Sequence, residues 1–521
     1  MPASRRFFLR HAGYSTLALG LPGVAAVHAL APEGALPRST PEAEGVAPED
    51  IVAFLDAVEQ AQFELHSFMM LRHGRVIAEG WWEPYGPDFV HSMYSMSKSF
   101  TSAAVGFAVS ERRLKVDDRV VSFFPNDVPW QVTENLGAMR VRDLLTMSTG
   151  NEKEPTQTCV KSENWVRTFL AQPIAHRPGT QFLYNSAATY LCSAIVQRIT
   201  GQTVLDYLTP RLFEPLGIRG MRWETCPRGI NTGGWGLSIK TEGLAKFGQL
   251  LLQKGKWNGA QLLPESWIEE ATRFHIQQPG EDKPDRPKAQ NDWLQGYGYQ
   301  FWRCQHGGFR GDGAFGQFTI VLPKEDAVIV MTSENKNMQG QLDLVWRHLL
   351  PAIGKKSDAK WQASVIPKLQ VPLPSGTAAT PAALASQRTY RLEPNDLGRD
   401  AVSFAFAPER CLFTVGGESI ACGWGKWLRG EAAIPGTPPR LISGGRSPEM
   451  GKSKIAAAAA WTDERTLTIS LRYYETPHRD TVTCVFDETG ETVTLTFLNS
   501  ITGMNPAAKD SRAPLRGRIM A

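Results

Sequence analysis

The spacing of apolar residues changes once along this chain, across residues 371–387, and that change confines it to two architectures in series. Beyond it, Leu467, Ile469 and Leu471 alternate with polar residues, as do Val482, Cys484 and Phe486, then Val493, Leu495 and Phe497. A period of two puts alternate side chains on one face. This part reads as an antiparallel β domain with one wet face, Asp487-Glu488-Thr489-Gly490 forming its last turn. Before the change the pattern is mixed. Residues 67–82 read as a hairpin around Arg72-His73-Gly74-Arg75, and residues 95–109, small and apolar, as a buried helix. Helical spacing recurs over 141–147, 164–170, 187–200 and 244–254. Strands return at 318–322 and 327–332, and helix at 346–353 closes the unit. The expected fold class is α+β with antiparallel strands.

At 521 residues the chain is too long for one ordinary domain. The expected organisation is a leader over 1–29, a first domain over 30–370, a linker over 371–387 rich in Pro, Ala, Ser and Thr, a β domain over 388–504 and a solvated tail over 505–521, which carries Arg512, Arg516 and Arg518. The leader rests on Ser4-Arg5-Arg6-Phe7-Phe8-Leu9-Arg10, a twin-arginine export pattern, followed by a mildly apolar run over 14–26 and small residues around Val27-His28-Ala29. The expected location is the periplasm or outside the cell, with no stable membrane span once the leader is removed. Removing Arg5, Arg6 and Arg10 from the formal charge of +4 leaves about +1, which argues against a nucleic-acid partner. The seven cysteines are scattered with no Cys-x-x-Cys pair; buried thiols are expected, with a Cys411–Cys422 disulfide as the alternative.

The chemistry is concentrated in three places. Ser95-Met96-Ser97-Lys98 puts a hydroxyl and an amine on one helical face, near a helix N-terminus. A lysine can take a serine proton only when part of it is neutral, and burial supplies that. The same spacing occurs at Ser333 to Lys336 and Ser357 to Lys360, but there it falls in a polar loop and in a charged stretch. Pro178-Gly179 then leads an extended segment to Tyr184-Asn185-Ser186, where a phenol beside an amine could pass protons. Finally, Gly311-Asp312-Gly313-Ala314-Phe315-Gly316-Gln317 enters a strand. A dinucleotide site would need a strand before its G-x-G-x-x-G and a helix after it; here a strand follows. Glycines beside an edge strand suit the approach of a substrate carbonyl to backbone N–H groups, with Ser95 and Ala314 as the candidate pair. No Gly-x-Ser-x-Gly elbow and no His-Glu-x-x-His is present, so no metal and no cofactor is expected.

These three elements, in this order, resemble the serine β-lactamase and penicillin-binding-protein superfamily, in its class C-like branch of esterases and 6-aminohexanoate-dimer hydrolases. His91-Ser92-Met93-Tyr94, Asp143-Leu144-Leu145-Thr146-Met147-Ser148-Thr149-Gly150, Gly233-Gly234-Trp235-Gly236-Leu237 and Ala245-Lys246-Phe247-Gly248-Gln249-Leu250-Leu251 add to the likeness, which spans about residues 41–353. The resemblance implies an antiparallel sheet flanked by helices, with a helical region inserted between Ser95 and about Gly233. It implies that Ser95 is acylated, that Lys98 is the base and that Tyr184 shares proton transfer. Ser186 would stand where asparagine is more usual, with Gly311, Asp312, Gly313, Ala314 and Gln317 forming the oxyanion and substrate side. The partner implied is a small ester, amide or oligomer substrate. The Lys-Thr-Gly of true β-lactamases is missing, and Asp312 would repel a substrate carboxylate if it points into the site. A β-lactamase, a D-Ala-D-Ala carboxypeptidase and a catalytically silent binding or sensor protein remain the alternatives, and oligomeric state stays open.

Overall fold

Apolar residues from both ends of the first unit meet in one sheet. In the computed structural model the described residues are 34–283, 285–361, 369–379, 384, 387–434, 442, 452–504 and 509–520; the leader lies outside them. Helix α1 (Pro48–Gln60) leads into the hairpin β1 (Leu65–Arg72) and β2 (Arg75–Trp81). The short strand β3 (His91–Ser92) and a 3-10 turn, Tyr94–Met96, then precede α2 (Ser97–Ser110). The inserted helical region follows: α3 (Glu134–Ala138), α4 (Val141–Leu145), α5 (Thr156–Cys159), α6 (Trp165–Leu170), α7 (Ser186–Thr200) and α8 (Val204–Leu208). Strands β4 (Arg222–Trp223) and β5 (Leu237–Ile239) join β3 in a small sheet of order β3-β5-β4. Helix α9 (Thr241–Leu252), the small hairpin β6 (Lys256–Trp257) and β7 (Ala260–Gln261), and α10 (Glu265–Thr272) come next. The main sheet resumes with β8 (Trp302–Arg303), β9 (Phe309–Gly313), β10 (Gln317–Leu322) and β11 (Ala327–Ser333). Then α11 (Met338–Leu344), a π-helical turn and α12 (Leu350–Ala352) close the unit.

The sheet runs β2-β1-β11-β10-β9-β8, antiparallel throughout. Its central strands β1, β11 and β10 are buried along almost their whole length because helices cover both faces. Met69, Leu71, Val328 and Val330 face the cluster with Phe100 of α2 and Phe247 of α9. Their neighbours Phe68, Met70, Ile329 and Met331 face Ile51, Phe54 and Val58 of α1. The period of two thus divides one strand between two cores.

The C-terminal strands are β12 (Arg388–Leu392), β13 (Ala401–Ala407), β14 (Arg410–Val415), β15 (Glu418–Trp424), β16 (Leu428–Ala432), β17 (Ser453–Trp461), β18 (Thr466–Arg472), β19 (Arg479–Phe486) and β20 (Thr492–Asn499), with α13 (Ser500–Gly503) before β21 (Leu515–Ile519). Their order is β15-β14-β13-β12-β21-β20-β19-β18-β17-β16, and a parallel pairing of β15 with β17 closes the sheet into a barrel-like ring. The expected solvated tail is corrected here. β21 lies between β12 and β20, with Tyr390 opposite Ile519 and Thr494 opposite Arg516. Leu515 and Gly517 turn inward while Arg516 and Arg518 stay exposed, so the arginines mark the wet side of a strand.

The expected linker is also tied down where it is described. Val371 N donates to Glu83 O at 2.9 Å, and Thr377 and Trp461 exchange two bonds of 2.9 Å. Backbone bonds of this kind need no side-chain pattern, which is why composition alone read as a spacer. Leu36–Ala521 forms one compact unit. All seven cysteines are buried and free; Cys411 and Cys422 sit opposite each other on β14 and β15 without a bond.

Candidate active site

Ser95 is presented by a short reversal of the chain. Met93 N donates to Leu237 O at 2.8 Å, and Tyr94 then takes a left-handed φ of 47°. Ser97 Oγ donates to Tyr94 O at 2.6 Å and accepts from Leu237 N at 3.1 Å, fastening the turn to β5. The half-buried Ser95 lies in the 3-10 turn, and the α-helix itself starts at Ser97.

Lys98 is the centre of the site. It is 2% exposed. Its Nζ lies 3.0 Å from Ser95 Oγ, 3.0 Å from Ser186 Oγ and 2.7 Å from Gly234 O. Burial pulls its pKa down from 10.5 to about 7, against the opposing charges of Glu154 and Asp312. Once one proton is lost, two N–H groups can stay on Gly234 O and Ser186 Oγ, leaving the lone pair facing Ser95 Oγ. Tyr184 is half-buried, stacked on Trp302 with centroids 5.5 Å apart; Lys98 Nζ is 4.8 Å from its ring centre. Burial and the charge of Asp312 push its pKa up, so the phenol keeps its proton. The site therefore holds an amine that can accept a proton and a phenol that can give one.

The segment carrying Tyr184 is fixed along its length. Gly179 N and Leu183 N donate to Ser148 O and Met147 O at 2.7 and 2.8 Å. Buried Asn185 caps α7 by accepting from Ala188 N at 3.0 Å, and its amide donates to Thr149 Oγ1 and Asn151 Oδ1. Ser186 opens α7, and its N–H donates to Glu154 Oε1 at 3.0 Å.

The third element departs from expectation in detail. A Cβ on Gly311 would meet Met96 Sδ at 2.5 Å, and one on Gly313 would meet Met93 O at 2.1 Å. These glycines let β9 press against the turn that carries Ser95; their close neighbour is the protein itself. Ala314 is exposed in the β9–β10 turn, beside that contact. Gln317, expected on the substrate side, is fully buried. Its amide donates to Ala314 O at 3.0 Å and Ser333 O at 2.8 Å, so it braces the turn from behind. Asp312 is buried and paired with Arg310 at 3.0 Å, so its charge is matched before any substrate arrives. Gly313→Ala is expected to lower stability by about 2–3 kcal/mol and kcat/KM by about 100-fold; chemical denaturation and ester kinetics check both.

Ser333 is buried, and its Oγ donates to Phe315 O and Gly316 O, while Lys336 turns to Met504 O. That serine therefore supports the same turn. Sequence reasoning missed the Gly234 carbonyl, Glu154 and Arg310. A backbone acceptor leaves no side-chain signature; its only trace was the glycine run 233–236. Among the described residues no group of three or more His, Cys, Asp or Glu could hold a metal ion.

Residues 54–350, more than half the chain, match the family model for Beta-lactamase. The chain belongs to the beta-lactamase family. It thus joins a family of hydrolases. A 6-aminohexanoate-dimer hydrolase of Paenarthrobacter ureafaciens is 26% identical over 290 residues, 51% of this chain and 72% of the relative. Protein flp of Staphylococcus aureus (strain MW2) is 24% identical over 139 residues; the match spans 26% of this chain and 28% of that relative. Among solved structures, the octameric penicillin-binding protein homologue from Pyrococcus abyssi superposes with a TM-score of 0.47 at 14% identity, covering 90% of this chain and 99% of that one.

Proposed function

We propose that the protein is a serine hydrolase that cleaves ester or amide bonds of small substrates through an acyl-enzyme on Ser95. One observation carries the reading: Lys98 Nζ is buried 3.0 Å from Ser95 Oγ with its pKa pulled down to about 7. As Ser95 Oγ attacks the carbonyl carbon, neutral Lys98 takes the hydroxyl proton. The Ser95 and Ala314 N–H groups receive the oxyanion. Tyr184 gives its proton to the leaving alcohol or amine and regains one from the Lys98 ammonium. Water then attacks the ester of Ser95, passing a proton back through Lys98, and releases the acid and the free serine.

The amide side of this proposal draws on the 6-aminohexanoate-dimer hydrolase relative at 26% identity. A preference away from β-lactams draws on Gly311-Asp312-Gly313 in the third element, where the buried cation Arg310 is already paired with Asp312. The twin-arginine pattern over residues 4–10 supports export as part of the same proposal. A panel of short-chain p-nitrophenyl esters, linear amides and β-lactams tests it. Esters or amides are expected to exceed β-lactams in kcat/KM by at least about 100-fold, the scale set by a missing charged anchor. A β-lactam as the best substrate would overturn the substrate reading, and silence on every class would overturn the hydrolase reading.

A further inference from the structure

We infer that His478, in the C-terminal barrel, is a positioning residue for the oxyanion site at Ser95 and Ala314; the inference rests on the acyl-enzyme reading above. Two aromatic residues flank that site with left-handed backbone. Tyr94, just before Ser95, has φ 47°, and Phe315, just after Ala314, has φ 68°. Bulky L-residues avoid this region, so their surroundings must hold them there. The two rings meet edge-on with centroids 5.3 Å apart, and the His478 ring completes the group, 5.8 Å from Tyr94 and 4.9 Å from Phe315.

His478 is bonded at both ring nitrogens. Nε2 pairs with the Tyr94 hydroxyl, and Nδ1 lies 2.8 Å from Glu334 Oε1. A carboxylate accepts, so Nδ1 carries a hydrogen, and in the neutral imidazole Nε2 is then the acceptor for the phenol. Glu334 is fixed in turn by Ser500 Oγ and by Arg479, 2.8 Å from Oε2. The turn carrying His478 also holds the approach to the site: Glu475 O accepts from Ser92 N at 2.9 Å, and Thr476 O from Tyr85 Oη at 3.3 Å. His478 is buried and acts through Tyr94 and Phe315 rather than on substrate. The family match ends at residue 350, so a residue from beyond it holds the backbone on both sides of the site. On this account the barrel completes the hydrolase.

The test uses the full chain with His478→Ala, His478→Gln, Tyr94→Phe and the His478→Ala/Tyr94→Phe double variant. Each is checked for folding by circular dichroism and for active fraction by titration with a fluorophosphonate. Both single losses are expected to lower kcat per titrated site by about 10- to 100-fold, the scale of a small misplacement at a reacting centre, with KM within about threefold. The double variant should lose no more than the worse single one, because both break the same contact. His478→Gln, whose amide oxygen can accept from Tyr94, should recover part of the loss. Folded variants with wild-type kcat overturn the proposal. So does a loss that only follows the titrated fraction, or additive losses in the double variant. If His478→Ala fails to fold, Tyr94→Phe decides alone, since it removes a single hydroxyl. A wild type that neither turns over nor labels at Ser95 overturns the acyl-enzyme reading and this proposal with it. A wild type that labels while the variants match it overturns the positioning role alone.

Discussion

Ser95→Ala is expected to reduce kcat/KM for the best ester by about 10⁴-fold or more, with the fold unchanged. On the proposed mechanism the hydroxyl is the attacking group, and the neighbouring hydroxyls are engaged elsewhere. Ser97 Oγ is committed to Tyr94 O and Leu237 N, and Ser186 Oγ accepts from the Lys98 amine at 3.0 Å. What survives should be the slow reaction of water with a substrate held by the remaining donors. Because Ser95 is half-buried and ends no core contact, thermal unfolding should move little. Stopped assays of ester release, with circular dichroism on the same samples, read both quantities. Turnover within about tenfold of wild type would remove Ser95 from the chemistry.

Lys98→Met should cost about 10³-fold in kcat/KM, within the usual range for a general base, and should also erase the acid limb of the pH profile. The sign follows from the shift. Burial lowers the pKa of Lys98 to about 7, so the amine is charged below that pH and neutral above it. Wild-type kcat/KM should therefore rise as pH increases through about 7 and then level off. Tyr184 is pushed the other way and keeps its proton, so no matching fall is expected from it at mildly alkaline pH. The same shift acts on stability. Between about 7 and 10.5 the unfolded chain binds a proton that the folded one does not, so the Lys98 contribution improves as pH rises through that window and is most unfavourable below it. Methionine removes that burden, and the thermal midpoint at neutral pH should be no lower than wild type. An acid limb that persists in Lys98→Met would assign the titration to another group.

Much of the fold was legible because periodicity reports burial. The helices α7 and α9 carry the repeat that their packing demands, while α2, β10 and β11 show as short runs rich in small or apolar residues because they are buried all round. β21 was hidden for a specific reason. Leu515-Arg516-Gly517-Arg518-Ile519 alternates correctly, but two arginines and a glycine in five residues look like a tail unless neighbouring strands are known. The described part of 371–387 was hidden because its ties are backbone bonds.

In the site, the Ser-x-x-Lys spacing was enough to join Ser95 of the 3-10 turn to Lys98 of α2, and motif order was enough to bring in Tyr184 and Ser186. The direction each side chain faces was not. Gln317 reads as a polar group beside a glycine turn whether it points at a substrate or, as here, at Ala314 O and Ser333 O. Gly311 and Gly313 signal a close approach, but the sequence does not say of what. Contacts such as Lys98 with Gly234, or Tyr94 with His478, join residues 136 and 384 positions apart. No local pattern encodes them.

The central claim is a covalent acyl group on Ser95, and intact-protein mass measured on samples acid-quenched during ester turnover tests it most directly. The account predicts one added acyl mass, mapped by digestion to Ser95 and absent from Ser95→Ala. An acyl group on a different residue, or turnover by Ser95→Ala at the wild-type rate with no adduct in either protein, would contradict it.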